Sequence, residues 1–478
     1  MKRPEEKNSP TSRSSRHEEA PINSKFGVCL DTWAATKYGL SDTLQRNPAN
    51  QAQFEMITNT HPLMKAILPI AITAILGAAA LPQAHAQGFT SGSTGANGPL
   101  NITTDTTLNL PANGVFNYTT INVSTGATLR FNRNTLNTPV YLLATGDVII
   151  NGSIDLSGSA SLGNFVGGAG GPGGFDGGGG GFSTVSQTLP GGAGQGPGGG
   201  LSGNGTQGSP GAAGSGAYGS RTGLWLDERD GQTYGSGLLI PLIGGSGGGG
   251  VDGNKDSGGG GGGGAILIAS STLVRLNSTG SILSRGGIGS TPLNINNGGS
   301  GGAIRLVAPR VYGTGILNVL GSGYCGLDCD GQLQDRSGAG RIRIDSIFRF
   351  EPTNAVQDNI GFNFMPSSSA SIGSAMVVFP PNNPRLDILQ AAGRTIPEGT
   401  NGPVFVELPF GANTNQTITV QARNFSTNVA IRVVLTPAAG DPISYDTNIN
   451  NTASNPAQVV VPVGIPINTV VAVNAWTR

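Results

Sequence analysis

The chain has 478 residues with 27 basic and 27 acidic side chains, so it lacks the clustered cationic excess that a phosphate backbone demands, and nucleic acid is excluded as a partner. Its three histidines, His17, His61 and His85, all precede residue 87; a chain whose working part starts there has no imidazole for acid–base or metal chemistry. Eighty residues are glycine, and each glycine held in a regular element costs roughly 0.5–1 kcal/mol more than alanine, so their abundance needs a structural reason.

Taken in chain order, residues 1–63 mix Lys, Arg and Glu without periodicity and read as a doubtful extension created by a misassigned start. Residues 64–86 have the form of a secretory signal peptide: Met64 and Lys65, an apolar run from Ile67 to Leu81, and Ala84-His85-Ala86 before Gln87. The run falls short of the roughly 20 residues of a membrane span, so cleavage and export are expected rather than a retained anchor. Removing the 9 basic and 7 acidic residues ahead of Gln87 from 27 of each leaves 18 and 20, a net charge near −2, with Lys255 the last lysine.

Residues 87–352 hold most of the glycine, in tracts such as Gly167–Gly181, Gly244–Gly250 and the seven consecutive glycines Gly258–Gly264. The seven glycines open directly into AILIAS from Ala265, and GGSGG (Gly298–Gly302) opens into AIRLVA from Ala303; these strand-like segments begin two copies of a repeat offset by 38 residues. An earlier copy starts at Val140 and a truncated later one at Arg341. Each copy has three short β runs, with branched residues such as Ile266, Val274 and Ile282 at alternating positions. One unit cannot bury its apolar face alone, which implies stacked coils.

This strand rhythm and glycine placement resemble secreted bacterial glycine-rich proteins of the right-handed parallel β-helix, or pectin-lyase-like, type, including surface and adhesin proteins. The resemblance covers residues 89–352 and implies a three-faced solenoid with insertions looping out between coils. The glycine tracts are also similar to those of phage tail-tip adhesins and animal receptor glycine-rich domains, which implies bundled, extended left-handed polyglycine strands; loops draped over the solenoid are the alternative.

Residues 353–383 read as a linker. In residues 384–478 Ile418, Val420 and Ala422 alternate with polar residues, as do Ile431, Val433 and Leu435, and further runs lie at Val404–Leu408, Gln458–Val463 and Thr469–Trp476. About seven short strands predict an antiparallel, immunoglobulin-like β-sandwich. The fold class expected is therefore all-β: a glycine-rich parallel β-helix followed by a C-terminal antiparallel β-sandwich.

The densest chemistry in the glycine region is LWLDERDG, where Trp225 adjoins Asp227, Glu228, Arg229 and Asp230. An aromatic face with carboxylate and guanidinium partners suits a sugar ligand, whereas a hydrophobic plug with a solvated charged rim accounts for the same residues. Turnover of a polysaccharide would need two carboxylates at a fixed separation, which adjacent acids in one loop seldom keep. The histidine-containing signature of polygalacturonases has no counterpart after Ala86, and Arg305, Arg310, Arg341 and Arg343 lack an acidic set in register. Binding is favoured over catalysis, with no catalytic residue assigned. Cys325 and Cys329 remain as an even pair and predict a small disulfide loop rather than a metal site. No cofactor is called for; calcium has oxygen donors on offer at Asp252, Asp256, Asp328 and Asp330, which read equally as turn-forming residues. The sequence thus points to a secreted, non-enzymatic surface or matrix protein whose partner is an extracellular glycan or surface protein, with a polysaccharide lyase or hydrolase as the alternative.

Overall fold

The computed structural model describes residues 88–163, 165–183, 188–203, 213–221, 228–251, 258–289, 297–322, 337–348, 369–400, 404–409 and 411–478, all within the compact unit Leu81–Arg478. The expected leader, both cysteines, Trp225, Asp227 and the four candidate calcium ligands lie outside the described residues. The described residues are all-β, with stacked parallel sheets followed by antiparallel ones.

Eight strands open the described chain: β1 (Leu100–Ile102), β2 (Thr106–Asn109), β3 (Val115–Tyr118), β4 (Ile121–Val123), β5 (Thr128–Asn132), β6 (Val140–Ala144), β7 (Val148–Ile150) and β8 (Ser153–Asp155). They join three sheets in strict rotation, first, second, third, first again. A hairpin of β9 (Phe182–Ser183) and β10 (Thr188–Leu189) interrupts the rotation. It resumes on the third sheet with β11 (Ala265–Ser270), β12 (Leu273–Leu276), β13 (Ser281–Leu283), β14 (Ala303–Ala308), β15 (Arg310–Gly313) and β16 (Ile316–Asn318). The third sheet gains two more strands, β17 (Arg341–Ser346) and β18 (Ser369–Gly373). The latter lies in the segment read as a linker.

Every pairing among these sheets is parallel. The 38-residue offset is the coil register, since Ala265 pairs with Ala303 and Ala303 with Arg341; the earlier copy joins with Val140 opposite Ile266. Alternate residues point inward. Leu142, Ile150, Ile154, Ile266, Val274, Ile282, Ile304 and Leu317 from the three sheets therefore meet in one core. On the third sheet the outer face is covered too: Leu143, Leu267 and Val307 pack against Tyr218, Leu239 and Leu242. A sheet buried on both faces explains why AILIAS and AIRLVA are nearly continuous apolar runs.

The C-terminal strands are β19 (Arg385–Ala391), β20 (Arg394–Thr395), β21 (Asn415–Arg423), β22 (Asn428–Pro437), β23 (Ile443–Asn450), β24 (Ala457–Gly464) and β25 (Val471–Thr477). They form antiparallel sheets ordered β20-β19-β21-β24 and β23-β22-β25. The residues expected to alternate inward, Ile418, Val420 and Ala422 on β21 and Ile431, Val433 and Leu435 on β22, are fully buried in one shared core. The run Val404–Leu408 is not a ladder strand. The edge of β19 is taken at Leu389–Ala391, where β20 pairs with Gln390 and Ala391 and the Ile396 N–H donates to the Leu389 carbonyl, while the Gly399 N–H donates to the Asp387 side chain beyond them.

Candidate functional site

The glycine-bearing insertions leave the stack at one corner, between the second and third sheets: after β8, after β13 and after β16. Coils in a parallel stack are about 4.8 Å apart, so the roots of these insertions are held side by side. The glycine tracts are consequently lateral neighbours before any side chain acts.

Gly258–Gly264 is the central tract. Its N–H groups reach three neighbours in rotation: Gly259 and Gly262 donate to the carbonyls of Gly178 and Phe175, Gly260 and Gly263 to Asn297 and Ser300, and Gly261 and Gly264 to Ser159 and Leu156, at 2.8–3.1 Å. Its carbonyls serve three further segments, with Ala303 continuing the one that holds Asn297 and Ser300. Gly168 and Gly171 donate to Gly259 and Gly262, Gly248 and Gly245 to Gly260 and Gly263, and Gly287 and Ala303 to Gly261 and Gly264. A period of three with no internal hydrogen bond is the polyproline II geometry, and six surrounding segments satisfy the N–H and C=O groups of Gly259–Gly264. Methyl groups placed on Gly259 and Gly262 would strike the carbonyl oxygens of Gly248 and Gly245, and one on Gly261 would strike that of Ala169. The tract is glycine because its neighbours occupy the space a side chain needs.

The charged part of the loop predicted to bind ligand is anchored to this bundle, and its described side chains diverge. Glu228 is exposed. Asp230 is buried at 4% exposure and accepts the Ser215 N–H at 2.8 Å. The Arg229 carbonyl accepts from Leu201, while its guanidinium donates to the Ser202 carbonyl and to both oxygens of Asp441, at 2.9 and 3.1 Å for the latter. Asp441 also accepts from the Ser202 N–H and hydroxyl. The Gly440 N–H donates to the Gly191 carbonyl at 2.8 Å, and Phe175 meets Trp476 edge to face at 5.5 Å. Arg229 thus ties the glycine bundle to the loop between β22 and β23. Sequence reasoning missed Asp441, which lies 212 residues from Arg229 with no local pattern to mark it.

A second charged cluster lies under the cover of the third sheet. Asp345, fully buried, accepts from Arg305 on one oxygen (3.2 Å) and from Arg343 (2.7 Å) and the Ala375 N–H (2.9 Å) on the other. Arg305 also donates to the Ala375 carbonyl. Burial pulls the Arg305 guanidinium down from its usual range, an effect Asp345 opposes. Nearby, Arg341 lies over the Tyr218 ring and donates to the Tyr234 carbonyl. Breaking a buried pair of this kind costs about 3–5 kcal/mol, and this one ties β14 to β17 and both to the backbone at Ala375. Its signal in the sequence is RIRID: Arg341, Arg343 and Asp345 alternate, so they share the outer face of β17.

Among the described residues no group of three or more His, Cys, Asp or Glu is placed to hold a metal, and no helix is long and apolar enough to cross a membrane. Comparison with known proteins gives no family model, no curated protein and no solved structure that matches the chain.

Proposed function

We propose that the chain is a secreted, non-enzymatic surface or extracellular-matrix protein with an adhesive or structural role. In this reading residues 87–352 form a parallel β-helix similar to the glycine-rich pectin-lyase-like proteins, and residues 384–478 form an immunoglobulin-like β-sandwich that serves as a docking module. The observation that supports it is the glycine bundle. A block of backbone hydrogen-bonded in every lateral direction, with no space inside for a side chain, is a stiff projection suited to carrying loops at its end. The glycan or surface protein it contacts is expected at Trp225, Asp227 and Glu228, beside the anchored Arg229 and Asp230.

The test is to pass the purified protein over immobilised glycans and surface proteins while monitoring reducing and unsaturated sugar ends. Retention without new ends is expected, and Trp225→Ala should weaken it with melting unchanged. Release of ends that vanishes on Asp227→Asn or Glu228→Gln would replace this reading with a polysaccharide lyase or hydrolase.

A further inference from the structure

Of the seventeen large hydrophobic residues exposed among the described ones, six gather at one place: Leu162 (75% exposed), Phe165, Val166, Phe182, Leu189 and Ile288. Their contiguity follows from the backbone. The Ser161 N–H donates to the Ile288 carbonyl at 2.9 Å, and the Ser161 hydroxyl donates to the Val166 carbonyl. The Phe165 ring meets Phe182 at 6.4 Å, and Phe182 pairs with Leu189 across the β9–β10 hairpin. The patch is at the far end of the bundle. Gly258, where the central tract is most distant from β11, abuts Ser161 and Val166, and seven residues at about 3.1 Å each put roughly 20 Å between this end and the strands.

Two features select the partner. Residues 158–203 contain a single charged side chain, Asp176, which is paired with Arg133; Arg285 lies one extended turn below Ile288 toward the strands. The described end of the bundle therefore presents apolar side chains among Ser, Thr, Gln and Asn, and the adjoining residues 252–257, which lie outside the described residues, carry two Asp and one Lys, so this end offers no cationic excess to attract an anionic surface. The patch is also small. Six partly exposed side chains offer a few hundred Å² at most, on the order of half of what each partner contributes to a stable protein interface. A lipid surface needs no matching shape, and each inserted side chain contributes independently.

We propose that the distal end of the glycine bundle inserts Leu162, Phe165, Val166, Phe182, Leu189 and Ile288 into the interface of an electrically neutral lipid surface. The inference rests on the reading of the chain as a surface protein and names a second partner for it. Flotation of the protein, in the form its host produces, with vesicles of phosphatidylcholine alone or mixed with an anionic phospholipid tests it. The expected result is binding to neutral vesicles that survives high salt. Leu162→Asp and Phe182→Asp should each reduce partitioning about tenfold with melting unchanged; Leu238→Asp, at an exposed leucine elsewhere, should not. Because the variants change nothing outside the patch, a retained leader would affect all forms equally. Three results overturn the proposal: no flotation, flotation that requires anionic lipid and is lost in salt, or flotation indifferent to the patch variants. Loss of vesicle binding with glycan or surface-protein retention intact would sink this inference alone. Self-association abolished by the same variants, without vesicle binding, would identify the patch as a contact between copies.

Discussion

Tyr218 and Tyr234 lie beneath the cover of the third sheet with ring centroids 4.6 Å apart, and burial raises both phenols well above the usual value near 10. Tyrosine is neutral when protonated, so above pH 10 the unfolded chain loses protons that the folded chain keeps. The stability this contributes is complete below that pH. It falls as pH rises toward the folded values, by about 1.4 kcal/mol per pH unit for each residue. Alkaline titration should show tyrosinate absorbance from these two appearing together with loss of near-ultraviolet circular dichroism. Ionisation of Tyr218 and Tyr234 near pH 10 with the fold intact would contradict this. On the acid side the direction reverses: the hydrogen bond from Arg432 holds Asp446 below the usual carboxylate range, so its contribution is present above the unfolded value and is lost as pH falls. Neither tyrosine was legible as a core residue in the sequence. The strands Tyr218 lies against are written in the apolar repeat, but the cover that buries it comes from an insertion with no periodicity.

At the scale of elements, the repeated strands were the legible part, because alternation reports a buried face wherever that face stays the same along the strand. Val404–Leu408 has the same alternation without a ladder, since a pattern in one segment cannot show that the neighbouring edge is already occupied. The glycine tracts raise the opposite difficulty. They carry no side-chain pattern, and their order follows from the strands that flank them and from the single corner at which they leave the stack. Gly261→Ala tests this account. The added methyl meets the Ala169 carbonyl, in a bundle where that neighbour is itself hydrogen-bonded, so the substitution should destabilise the parallel part by about 3 kcal/mol. Gly237 has open space around its Cα and a backbone that alanine can adopt, so Gly237→Ala should melt like the parent. Equal melting temperatures for the two variants would mean that the tract is a loop free to move aside.

At the scale of the whole molecule, the apolar cores of the parallel stack and of the antiparallel sheets are separate, and the described contacts between them are few and mostly polar. They include Arg229 and Ser202 on Asp441, Gly440 on Gly191 and bridged to Gly192, and Phe175 against Trp476. This separation explains why composition alone reveals two regions, whereas the coupling between them depends on residues far apart in the chain. The coupling centres on one carboxylate that accepts four hydrogen bonds from two residues. Its removal takes these charge-assisted hydrogen bonds from the Arg229 guanidinium, whose side chain is 14% exposed, a loss of about 1.5–3 kcal/mol. Asp441→Ala should therefore lower the unfolding temperature of the antiparallel sheets and separate their transition from that of the parallel stack, which keeps its own core and its own glycine bundle. Calorimetry reads the separation directly. Hydrogen exchange at the Gly440 amide reports the junction itself, because that amide is protected by the bond to Gly191 and should become fast in the variant. An unchanged calorimetric profile with Gly440 still protected would mean that the apolar contact of Phe175 with Trp476, rather than Asp441, joins the two parts.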